Sequence, residues 1–195
     1  VRLQHKFMTG SQVARVLVHL SNPTGGTIAV PVRMETNFGS DGSTQVQSTS
    51  SGDLVVGTTD NWMVSSEGAP ATDPVLTTVW GMPGAALQPT SVTPSTSFNC
   101  AGTQGVSVTH SLTVPAGQTR SLMYFGGLGG ITAADNLIAS ATANASQFNS
   151  AEGMPAEWLS DLDNITRSQI VNMSPGEVTT CASEGYNATK MYYCV

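Results

Sequence analysis

The segment TIAVPVRMET (27–36) alternates without a break: Ile28, Val30, Val32 and Met34 are large and apolar, and the residues between them are not. A period of two sends successive side chains to opposite faces of an extended chain, which marks a half-buried strand and excludes a helix there. GVSVTHSLTV (105–114) repeats the pattern, with Val106, Val108, His110, Leu112 and Val114 in phase. Further strand-like runs cover 1–9, 12–20, 43–50, 53–59, 61–66, 74–81 and 119–127, punctuated by turn clusters such as SNPTGG, NFGSDGS and PAGQ. Eight to ten short strands without intervening helices leave no crossovers for a parallel sheet. The pattern predicts a mainly β chain, an antiparallel two-sheet sandwich. Val30, Val32, Val108, Leu112, Leu122 and Tyr124 should point into its core.

Near residue 131 the period changes. In ITAADNLIASATANASQF, Thr132 suits an N-cap, and Leu137, Ile138, Ala141 and Phe148 recur at helical spacing. A second helix is predicted over 155–171, opened by Pro155, with Trp158, Leu162, Ile165 and Ile170 on one face. Residues 1–174 then form one sandwich domain with C-terminal helices from about 131, and 175–195 form a tail packed on it. In that tail Cys181 and Cys194 bracket a segment with Gly185 and Asn187 as turn formers, so a short loop stapled by a disulfide is expected, with Cys100 as the competing partner.

Charged residues are only 10% of the 195, against roughly a quarter in most soluble domains. The net charge is −6 and the seven bases are scattered, so the basic footprint of a nucleic-acid protein is missing. No apolar run is long enough for a spanning helix. Ser, Thr, Gly and Asn take the place of charge. With the cysteine pair, that composition predicts a secreted, extracellular or cell-surface protein. Starting at Val1 without a charged-then-apolar leader, the chain reads as a processed mature form or an excised fragment.

The blocks NFGSDGSTQVQSTSSGD, TTDNWMVSSEG, DPVLTTVWG and SLTVPAGQTRSLMYFGGL resemble β-sandwich regions of large secreted bacterial proteins, including the two-sheet supersandwich type of some carbohydrate-active enzymes. The resemblance covers about residues 12–171. It implies export and a sandwich with a helix pair after the last strand, and it carries over no catalytic residue.

Candidate chemistry is sparse. His5, His19 and His110 each lie within a strand pattern, without a metalloprotease or nucleophile-elbow motif, and read as hydrogen-bonded structural residues. Nothing in the spacing of the carboxylates forces a catalytic pair together. Asn37, Ser40 and Asp41 on a glycine-rich loop, joined by Asp60 or Asp73, are a candidate calcium loop, weighed against ordinary Asx-turns; Asp161 and Asp163 read as helical. No other cofactor is expected. Trp62, Trp80, Trp158 and Tyr192-Tyr193 could form a sugar-stacking platform or plug the core. Asn144, Asn164, Asn172 and Asn187 sit in glycosylation sequons.

The leading expectation is therefore a non-enzymatic extracellular structural or assembly unit of a surface layer, fibre or multi-domain exoprotein. Its partners would be copies of itself or neighbouring protein domains. A carbohydrate-binding accessory module is the alternative, and a hydrolase whose residues converge only in three dimensions is the third reading.

Overall fold

A computed structural model describes residues 1–7, 12–37, 44–67, 74–95, 104–129, 134–150 and 156–173. These contain nine strands: β1 (Arg2–Phe7), β2 (Val13–Ser21), β3 (Ile28–Asn37), β4 (Gln45–Thr49), β5 (Trp62–Ser66), β6 (Leu76–Val79), β7 (Ser91–Ser95), β8 (Gln104–Val114) and β9 (Thr119–Leu128). Two helices follow, α1 (Ala134–Ser146) and α2 (Asn164–Gln169), with single 3-10 turns at Gln147–Asn149 and Ala156–Trp158. All strand pairings are antiparallel. They build a six-stranded sheet, β1-β2-β9-β6-β5-β4, and a three-stranded sheet, β3-β8-β7. The chain is mainly β and sandwich-like, as the alternation requires.

The period-two pattern sorts the side chains into two cores. Between the sheets lie Leu20, Leu122 and Tyr124 from the larger sheet and Val106, Val108, Leu112 and Val114 from β8, with Val30 and Val32 partly buried beside them. The six residues expected to point inward therefore all join this cluster. On the opposite face of the larger sheet, Leu17, Met123 and Phe125 pack against Phe148, Trp158, Leu159 and Leu162. The larger sheet is thus covered on both sides. Its central strand β9 accordingly reads Leu122-Met123-Tyr124-Phe125, a continuous buried run without alternation.

Three expectations change. Residues 53–59 form bends and turns, not a strand. Asp53 accepts hydrogen bonds from Val55 N (2.9 Å) and Ser51 Oγ (2.8 Å), and Leu54 takes a left-handed φ of 61°, so the run cannot extend and Leu54 and Val55 face solvent. The segment after residue 89, which lies outside every strand-like run of the sequence, contains a strand, β7, whose register shifts between Thr93 and Ser95 around Pro94. Proline has no N–H to donate, and a bulged edge strand tolerates it. Finally, the second helix is broken. Asp163 accepts from Thr166 N at 2.7 Å and starts α2 as a fresh helix, so Asp161 and Asp163 precede it in turn and cap positions and are not helical. Thr132, Pro155, the tail and its expected disulfide lie outside the described residues. No helix among the described residues is long and apolar enough to cross a membrane.

Candidate functional site

Strand β1 ends the six-stranded sheet, and no described strand pairs with its outer side. It runs along β2 in unbroken register from Arg2 opposite His19 to Phe7 opposite Ala14. Alternation gives it two different faces. Arg2, Gln4 and Lys6 lie on the helix side, and Leu3, His5 and Phe7 on the side of the second sheet. The three-stranded sheet leaves that second face uncovered: Leu3 is 57% and Phe7 79% exposed.

The helix-side face is moored. Lys6 Nζ reaches Asp161 Oδ1 at 2.8 Å, Glu157 O at 3.2 Å and Ser160 Oγ at 3.5 Å. Arg15, next to it on β2, holds the same carboxylate with two bonds of 2.9 and 2.7 Å and also donates to Trp158 O. Arg15 is 1% exposed, an unusual site for a guanidinium, and this bidentate pair is what makes it tolerable. Burial opposes ionisation of Asp161, but the bonds from Arg15 and Lys6 and the Arg15 charge outweigh it and hold the carboxyl well below the usual range. Arg2 donates to His19 Nε2 at 3.2 Å, so Nδ1 of that ring carries the proton and donates to Ser121 Oγ at 2.9 Å. Burial and the charges of Arg2 and Arg15 push His19 below its ordinary pKa.

Edge strands are normally kept from pairing by charged side chains, bulges or proline. The other three edges carry such devices: β4 a register shift between Val46 and Ser48, β7 its shift around Pro94, and β3 Pro31 in mid-strand. Strand β1 has neither proline nor bulge, and both its cationic side chains are bonded back to their own chain. It is the least protected of the described edges.

The remaining candidates are placed as follows. Asn37 ends β3 opposite Gly105, while Ser40, Asp41 and Asp73 lie outside the described residues. Asp60 is buried and accepts from Ser51 N, Gly57 N and Ser50 Oγ, so its carboxylate closes its own loop. Among the described residues no group of three His, Cys, Asp or Glu side chains could hold a metal. Trp62, Trp80 and Trp158 are 3%, 0% and 6% exposed, so none offers a face to a sugar ring; Tyr192 and Tyr193 lie outside the described residues. Asn144 and Asn164 are exposed on α1 and at the start of α2, and Asn187 lies outside the described residues.

Asn172 has a different role from the acceptor its sequon suggests. Fully buried, it donates from Nδ2 to Trp80 O and Met123 O and accepts from Met123 N, each at 2.8 Å. Strand β6 leaves the sheet after Val79 opposite Phe125, and the Asn172 amide takes the next place in the ladder beside β9. A glycan cannot be carried on that nitrogen in the folded chain.

His110, 0% exposed between the sheets, contacts the Tyr124 hydroxyl through Nδ1 at 3.1 Å, and its Nε2 has no partner among the described residues. Burial lowers its pKa to about 4 and raises that of Tyr124. An apolar cavity of about 70 Å³ beneath α1 is lined by Val13, Leu137 and the packed rings of Phe125, Phe148 and Trp158. Among the described residues its lining includes no titratable group. No protein-family model, curated protein or solved structure matches the chain.

Proposed function

We propose that the chain is a non-enzymatic, extracellular β-sandwich that serves as a structural or assembly unit, joining copies of itself or neighbouring domains by strand pairing. The β1 edge carries this reading: no described strand pairs with its outer backbone groups, which are flanked by exposed Leu3 and Phe7, and its cationic side chains are tied back. The low-charge, hydroxyl-rich composition supports an extracellular setting. The three buried tryptophans offer no stacking face to a sugar, which weighs against the carbohydrate-binding alternative. Sedimentation velocity on the purified chain, from micromolar to millimolar concentration, tests the reading. Growth in sedimentation coefficient with concentration is expected. A monomer throughout, which also takes up no added strand peptide, would overturn it.

A further inference from the structure

Resting on that assembly reading, we infer that the partner of β1 is β1 of a second copy, in an antiparallel register centred on His5. A two-fold axis perpendicular to the sheet keeps like faces together, so only registers that pair residues of the same face are open to it. Two of these engage most of the strand, one centred on Gln4 and one on His5. Centring on Gln4 sets Arg2 opposite Lys6 of the second copy, which places like charges in direct cross-strand contact. Centring on His5 avoids this. It places Lys6 opposite the neutral Gln4 and Leu3 opposite Phe7, the latter pair twice by symmetry. The most exposed apolar side chains within β1 thereby cover each other, an aliphatic against an aromatic, which is a favourable pair across strands. Two six-stranded sheets become one continuous sheet.

The register makes positional predictions. His5→Cys in the 195-residue chain should form an intermolecular disulfide under mild oxidation, because directly opposed residues have Cα atoms about 4.5–5.5 Å apart. Leu3→Cys alone should not link to itself, whereas a mixture of Leu3→Cys and Phe7→Cys chains should cross-link. Peptide mapping separates these links from any made by Cys100, Cys181 or Cys194. Because Phe7 is exposed, Phe7→Lys should leave the fold intact and weaken self-association by about tenfold or more, as two symmetric pairs are lost. Association without a link at position 5, or with Leu3→Cys linking to itself, overturns the register and leaves the assembly reading standing. A wild-type chain that stays monomeric at every concentration overturns the self-pairing. If it then takes up an added strand peptide, the broader reading survives.

Discussion

Replacing His110 with leucine should remove much of the protein's loss of stability in mild acid. In the native chain the imidazole is enclosed by apolar side chains between the sheets, with Val32 opposite it on β3 and the Tyr124 hydroxyl as its one partner among the described residues. Desolvation lowers its pKa from 6.5 to about 4. The unfolded chain therefore takes up the proton first as pH falls. Stability from this residue is intact above about pH 6.5, declines below it, and levels off near pH 4. Linkage over that interval gives a loss of about 2 kcal/mol at about pH 5 and about 3 kcal/mol at about pH 4. His19, also lowered, adds in the same direction and is unaffected by the change at position 110. Urea unfolding of the two proteins at a series of pH values isolates the His110 part as the difference between their slopes. At neutral pH the cost of His110→Leu should be small, since it removes the unpartnered Nε2 while leaving the Tyr124 hydroxyl without its bond. Equal acid slopes in the two proteins would refute the argument, as would a His110 imidazole titrating near 6.5 by NMR.

Three further substitutions probe the packing. Asn172→Ala strips Met123 N, Met123 O and Trp80 O of buried partners and should cost about 3 kcal/mol, read from the urea midpoint. Asp161→Asn leaves the buried Arg15 guanidinium without a counter-charge and should cost about 3 kcal/mol, whereas Arg15→Met combined with Asp161→Ala should cost less than that single change. Leu112→Ala, at a site 2% exposed, should cost about 2–5 kcal/mol by calorimetry or denaturant titration; a loss under about half a unit would mean that the inter-sheet core is elsewhere.

Strands covered on one face could be read from the sequence, because burial on one side and solvent on the other imprints a period of two on 27–36 and 105–114. DLVVGTT misled because composition favours a strand there, while the Asp53 side chain bonds and the left-handed Leu54 act locally against it. Strand β7 was hidden by Pro94, which is disfavoured in a strand unless it falls on an edge or at a bulge. The mooring of β1 was not legible at all. Arg15 looked like one of several scattered bases, and its carboxylate lies 146 residues further along the chain. Likewise Asn172 reads as a sequon, and only the departure of β6 from the ladder after Val79 creates the vacancy it fills. With only 10% charged residues the sequence has few side chains to guard sheet edges, but which edge stays open depends on where proline and bulges fall in the sheet order.

Amide hydrogen exchange of residues 2–7, followed as a function of protein concentration, tests the open-edge account most directly. The amides that point away from β2 should exchange rapidly in dilute solution and gain protection as the concentration rises, while those of β9 stay protected throughout. Outward β1 amides already protected at the lowest concentration would mean that the edge is covered within the monomer. Amides that remain fast at the highest concentration would mean that no second strand comes to it. Either result contradicts the account.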